Sequence, residues 1–233
     1  MAFLCKRLGL GIGLILLASG ILLAFDRGRQ RSGNGPRTWR VALLQHASIA
    51  VLDEGRAGII DGLAEAGFRK GDNLQLDLFN PEGDGGTANT MARQIVGDPY
   101  DLVITNSTRS LQIFANANQQ RRMPHVFALV ADPFSAGVGL DRADPMKHSP
   151  HLVGQGIFVP VADSFRLARQ MNPALKTVGV VWNPAESNSY AFTMKAREVC
   201  KELGIDLLEA NADSSAAVQE SANALIARGA QAL

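Results

Sequence analysis

The 233-residue sequence predicts an α/β protein of two similar lobes, each built on a parallel sheet. Two short apolar runs, Leu102–Thr105 and Val126–Val130, enclose a helical pattern with Leu111, Phe114 and Ala115 on one face. Ser107 or Thr108 can cap that helix, and strand–helix–strand in this order implies a parallel pair with a right-handed crossover. Both runs are apolar throughout, as expected of strands covered by helices on both faces. The third observation is an internal repeat. VALLQ, a polar turn, a helix ending EAGF and the strand LQLDLF correspond to VGVVW, a polar turn, a helix ending ELGI and the strand DLLEA. Thr87–Val96 likewise corresponds to Ser215–Ala227.

Lys6-Arg7 precede an uncharged run, Leu8–Phe25, in the pattern of a secretory signal, with Ala18-Ser19-Gly20 offering small residues for cleavage. Residues 1–25 are therefore read as a signal peptide, with an uncleaved membrane anchor as the alternative. No cysteine follows the run, which argues against a lipid anchor. Either way the remainder is expected outside the cytoplasm, in the periplasm. Residues 26–38 are rich in Gly, Arg and Ser without an apolar period and read as a disordered linker. Apart from this basic leading segment the chain is slightly acidic, so nothing suggests a nucleic-acid surface. Cys200 is the one cysteine outside the leader, expected as a small buried group on a helix.

The first lobe is predicted over residues 39–159. Trp39–Gln45 is its first strand, Asp53 caps a helix with Ile59, Ile60 and Leu63 inward, and alternating Leu74–Phe79 is an edge strand. Thr87 starts the next helix. After Asp132-Pro133, residues Gly137–Pro150 have no period and read as surface loop, and Leu152–Phe158 as a short strand. The second lobe is predicted over residues 160–233. Its first helix turns Phe165, Ala168 and Met171 inward, and Thr177–Trp182 is a buried strand. A helix from Ser187 to Leu203 ends at Gly204, and Asp206–Ala210 and a last helix from Ser214 to Arg228 follow. By the internal repeat, a core strand begins near Gln231, so the second lobe is expected to be incomplete at Leu233.

Open parallel sheets bind ligands at the carboxyl ends of their strands. The candidate site is thus a set of strand-end loops: Gln45, His46 and Ser48; Asn106 and Ser107; Asp132; Gln155; and Asn183, Glu186, Ser187 and Asn188. Hydroxyls, amides, a few carboxylates and exposed helix N-termini orient a small polar ligand. For any one of these residues a turn or cap is the favoured reading; their recurrence at every strand end reverses this for the set and favours a site. Asp132 is read as a partner for a ligand ammonium group or as a cap at Pro133, and Ser187 as the cap of its helix. His46 is read as a ligand contact or a hydrogen-bonded turn residue. Trp182 and Phe134 either stack on a ligand or are core aromatics.

Catalytic and cofactor readings have less support. Ser107 lacks a G-x-S-x-G elbow, His148 and His151 have no carboxylate cluster, and His125 packs at a strand start. Gly154-x-Gly156 lacks the third glycine of a dinucleotide fingerprint, and Gly83–Gly86 lacks the Lys-Ser/Thr of a phosphate loop. No cofactor, no metal and no enzymatic activity are expected.

The stretches DEGRAGIIDGLAEAGFRKGDNLQLDLFNPEGDGGTANTMARQIVGDPYDLVIT, VFALVADPFSAGVG, LVGQGIF and VGVVWNPAESNS carry a resemblance. The chain from about Trp39 to Leu233 resembles ABC-transporter substrate-binding proteins of the tryptophan/tyrosine-binding type, with the type I periplasmic binding fold. The resemblance implies that Gln45, His46, Asp53, Asn106, Ser107, Asp132, Gln155, Asn183, Glu186 and Asn188 line the cleft between the lobes. This sequence departs from it with His46-Ala47-Ser48 in the first turn, and with Asn106-Ser107 where Thr-Pro is common. It also implies a further third beyond Leu233. The expected function is capture of a small polar solute, an amino acid among the candidates, by a monomeric protein that delivers it to an inner-membrane ABC permease. The alternative is a membrane-anchored ligand-sensing domain.

Overall fold

A computed structural model describes residues 37–233, together with Ser19. The expected leader, and the linker up to residue 36, otherwise lie outside the described residues. Among those described, no helix is long and apolar enough to cross a membrane.

Strands β1 (Trp39–Gln45), β2 (Leu74–Phe79), β3 (Leu102–Asn106), β4 (His125–Val130) and β5 (Leu152–Gly156) form one sheet in the order β2-β1-β3-β4-β5. Every neighbouring pair is parallel, and β2 is an edge. Strand β1 explains the layering, because side chains alternate between faces. Val41 and Leu43 join Leu74, Leu76 and Ile104 against Ile59, Ile60 and Leu63 of helix α1 (Ala50–Glu65). Ala42 and Leu44 face the other way, onto Ala92 and Ile95 of α2 (Gly85–Gly97) and Phe114 of α3 (Thr108–Ala117). Each fully buried large apolar side chain contributes about 1.5–3 kcal/mol of transfer free energy, which makes β1 the axis of this half.

Strand β4 is irregular. Leu129 has φ +52° and the register with β5 slips between Phe127 and Val130. The bulge throws the Phe127 carbonyl toward β5, where a Cβ on Gly154 would lie 2.2 Å from it. Glycine is required there by contact, not by a nucleotide-binding turn.

A second sheet pairs β6 (Thr177–Trp182) with β7 (Asp206–Asn211) in parallel through all six residues. Ala232 bridges Val178 in parallel, with Gln231 N donating to Thr177 O at 2.9 Å and Gly179 N to Ala232 O at 2.8 Å. This is where β3 begins beside β1, at Val41 opposite Leu102, so the repeat read from sequence is a structural repeat. Helices α4 (Val161–Met171), α5 (Ser187–Leu203) and α6 (Ser215–Ala227) accompany this sheet. Phe165 and Ala168 pack on a cluster of Leu175, Val178, Cys200 and Ile205. Burial pushes the Cys200 thiol up to about 11, as for an unreactive core group.

Several local expectations are corrected. Met171 is 80% exposed, because it falls at the end of α4. Helix α1 begins before Asp53, after Ile49, which has no capping side chain. Asp84 caps α2 by accepting from Thr87 N at 2.6 Å, so Thr87 lies inside the helix. Ser187 is the first residue of α5, not its cap; Glu186 flanks that helix and makes no capping bond. Strand β5 stops at Gly156, short of Phe158.

Candidate functional site

The carboxyl end of β1 is fixed by a buried amide network. Gln45 is 1% exposed and fully used: Nε2 donates to Asp53 Oδ1 at 2.7 Å and to Ala47 O at 2.8 Å. Its Oε1 accepts from Arg56 Nη1 at 3.3 Å and from Asn106 Nδ2 at 3.4 Å. Asn106, 0% exposed, also donates to Leu52 O at 2.7 Å, and Asp53 pairs with Arg56 at 3.1 Å. Gln45 and Asp53 are thus committed to holding α1 on the sheet, as is the Asn106 amide nitrogen, whereas Asn106 Oδ1 is buried without a partner. They shape the site from beneath.

The His46 carbonyl accepts from Gly83 N at 2.9 Å. Ser48 turns to the loop after β2, its N donating to Glu82 Oε2 at 3.2 Å and its Oγ accepting from Asn80 Nδ2 at 3.1 Å. The His46 ring remains at the mouth of the turn, half-buried, with an inaccessible and unpartnered Nδ1. Burial first, and then the Arg109 charge, hold its pKa below the ordinary value, while Glu186 acts in the opposite sense.

Ser107 caps α3, its Oγ accepting from Ser110 N at 3.1 Å. Its backbone sits at φ +137°, ψ 166°, a region that side chains disfavour. The next turn supplies two residues that sequence reasoning missed. Arg109 and Gln112 are three apart and so share a helix face. Gln112 Nε2 donates to Ala136 O at 3.0 Å and, at 3.4 Å, to Ser187 Oγ across from the second sheet. The available signal for Arg109 was its position: a cation in the first turn of a helix opposes the macrodipole.

On the opposing wall, Asn183 Oδ1 accepts from Ala185 N at 3.0 Å, and Ser189 Oγ from Asn183 N at 3.0 Å. These bonds order the turn before α5 and use up the Asn183 side-chain oxygen. Glu186, Ser187 and Asn188 are half-buried, and the Asn188 Oδ1 is buried without a partner.

Asp132 and Gln155 stand at the ends of β4 and β5, lining a cavity of about 630 Å³ with Phe134, Arg142 and Phe158, and the neighbouring Ala131 N donates to Thr108 Oγ1 at the start of α3 at 3.4 Å. Asp132 accepts from Phe134 N at 3.1 Å and is ion-paired with Arg142. Of the two roles expected for it, the turn cap is seen in the bond from Phe134 N, and its carboxylate has a counter-ion in Arg142. Gln155 folds back onto Gly156 O at 3.0 Å. Phe134 lies 4.9 Å beneath the Arg142 guanidinium and Trp182 5.5 Å beneath that of Arg197, so protein cations occupy a face of both rings. His125 is buried at the start of β4, as expected, with Nε2 2.8 Å from Thr105 Oγ1. Among the described residues no group of three or more His, Cys, Asp or Glu could hold a metal ion.

The sequence profile of a family described as ABC transporter substrate binding protein matches residues 40–233. A tyrosine-binding protein of Clostridioides difficile is 26% identical over 186 residues, covering 80% of this chain and 52% of the relative. A conserved domain protein from Vibrio cholerae superposes with a TM-score of 0.76 at 31% identity. A domain from Streptococcus pneumonia in complex with L-Trp gives 0.75 at 26% identity. Each of these two structures is matched over 82% of this chain and 63% of its own length. The chain thus spans about half to two thirds of the length of these relatives. A leucine-binding protein from Thermotoga maritima, 15% identical with a TM-score of 0.56, shares the fold, that of type I periplasmic binding proteins. The chain belongs to the family of ABC transporter substrate-binding proteins.

Proposed function

We propose that this protein is the extracytoplasmic solute-binding component of an ABC importer and that its solute is an amino acid held between the two lobes. The observation that carries this reading is the meeting of residues from both lobes beside the strand ends. Gln112 of α3 bonds Ser187 of α5, and His46 after β1 feels the charge of Glu186 before α5. A solute lodged among them would touch both lobes and close them about a hinge near residues 157–160. The closed form would then dock on an inner-membrane permease as a monomer. Residues 1–25 would direct export, as a cleaved signal or a retained anchor. Relatives named for tyrosine binding and solved with L-Trp support an amino-acid ligand.

The test is a thermal-shift screen of the protein against amino acids, nucleosides and sugars, followed by recovery of the tightest ligand. At a ligand concentration of 100 Kd, stabilisation of about 2.7 kcal/mol is expected. Stabilisation by a sugar or nucleoside but by no amino acid would overturn the ligand class. Recovery of a chemically changed ligand would overturn transport in favour of an enzyme.

A further inference from the structure

We propose that Arg109 is the specificity-determining contact of the interlobe site, taking a carboxylate of the ligand with His46 beside it, while Glu186 on the facing wall takes the ligand's ammonium group. This rests on the amino-acid reading and goes beyond it by assigning each pole of the zwitterion to a side chain.

Arg109 is placed against its own interest. In the first turn of α3 its charge faces the positive end of the helix dipole, an unfavourable arrangement. A solvated guanidinium could swing away; here Nε is buried and has no partner. Arg56, Arg142, Arg166 and Arg197 each pair with a carboxylate, whereas Arg109 makes no ion pair or side-chain hydrogen bond among the described residues. Glu186 carries an equally uncommitted carboxylate in a half-buried position.

Both charges act on His46, yet they do not bond each other. Arg109 and Glu186 thus stand on walls that meet where Gln112, three residues on from Arg109, bonds Ser187 beside Glu186, and the cation and the anion are not paired with each other. A partly desolvated charge without a counter-ion is costly, and a ligand carrying the opposite charge removes that cost. The remaining charges nearby are committed: Asp53 to Arg56 and Gln45, Glu82 to Ser48 N and Asn80. Two free charges of opposite sign, one from each lobe, are the complement of a zwitterion. They also make closure depend on a ligand carrying both groups, since either charge alone would leave the other buried and unpaired.

The experiment uses the full chain and calorimetry with the standard L-amino acids, each matched to its amine lacking the carboxylate and its acid lacking the ammonium. The best amino acid is expected to bind roughly 10- to 100-fold tighter than either analogue, the range for hydrogen bonds to charged groups. Arg109→Gln should erase the discrimination against the amine and keep that against the acid. Glu186→Gln should do the reverse, and Arg109→Lys should retain part of the preference. The unliganded melting point of Arg109→Gln should stay level or rise, because a cation leaves the helix start. If amino acids bind and Arg109→Gln leaves the amino-acid-to-amine ratio unchanged, the assignment is overturned while the amino-acid reading stands. If only the acids bind, and Arg109→Gln abolishes that binding, the amino-acid reading falls and Arg109 keeps its role. Indifference to the whole panel overturns both.

Discussion

Arg142 reaches back from the loop after β4 to pair with the Asp132 carboxylate, and the pair sits beside the Phe134 ring. Asp132→Asn is accordingly expected to change the affinity for an amino-acid ligand by less than about threefold. The cost in stability should stay within about 1 kcal/mol, because Arg142 is 67% exposed and the pair is screened by water. Calorimetry and urea unfolding of the variant check both values. A tenfold loss of affinity would restore Asp132 as a ligand contact.

His125 makes stability depend on acid. Burial, with a smaller contribution from the charge of His151, lowers its pKa from 6.5 to about 3. Between those values the unfolded chain binds a proton that the folded chain refuses. Stability is therefore fully present above about pH 6.5 and is lost as pH falls toward about 3. The slope attributable to this residue is about 1.4 kcal/mol per pH unit. Urea unfolding at pH 7, 6, 5 and 4 measures it, and His125→Gln should flatten the profile. An unchanged slope would assign acid sensitivity to other groups.

Ser107 combines a useful hydroxyl with an unfavourable backbone, and two substitutions separate them. Ser107→Ala removes the cap and keeps the conformation at φ +137°, so a loss of about 1 kcal/mol is expected. Ser107→Gly removes the cap but relieves the backbone, so it should be the more stable variant. Thermal melts of both decide the order. An alanine variant more stable than the glycine variant would show that the backbone carries no strain.

Gly154 is fixed by its neighbour on β4. A methyl group there would meet the Phe127 carbonyl at 2.2 Å and the Phe127 ring at 2.5 Å. Gly154→Ala should force β5 away from β4 and destabilise the protein by about 1–3 kcal/mol, in the manner of an overpacked core. A melting point within a few degrees of the parent would mean that the bulge gives way instead.

The sheets were legible because they rest on composition: VALLQ, LVIT and VGVVW allow little else between helical periods. The repeat marked out the second sheet with its helices, while strand order came from the structure. Caps were less legible, since Asp53, Asp84, Glu186 and Ser187 are all suitable residues and only backbone angles choose among them. The site was half visible. Turn residues announce strand ends, so His46, Ser107 and Glu186 could be named. Which of them stay free depends on partners from segments without a pattern, as with Arg142 for Asp132. Arg109 was hidden because N-S-T-R-S reads as a cap followed by solvent-facing helix, and the bulge at Leu129 leaves no trace in an apolar run.

The bond between Gln112 and Ser187 has a consequence for how tightly the two halves grip each other. It is the one side-chain hydrogen bond between them among the described residues, and at 3.4 Å it is long. A neutral bond of this kind contributes about 0.5–1.5 kcal/mol, so without a solute the halves are only lightly latched. Inverting a 99:1 preference for the separated form takes about 5.5 kcal/mol of differential affinity. In the binding reading proposed above, that much would come from the solute's own contacts with both walls. In the transport reading proposed above, an empty protein that parts easily and a filled one that does not would let a membrane partner tell cargo from none.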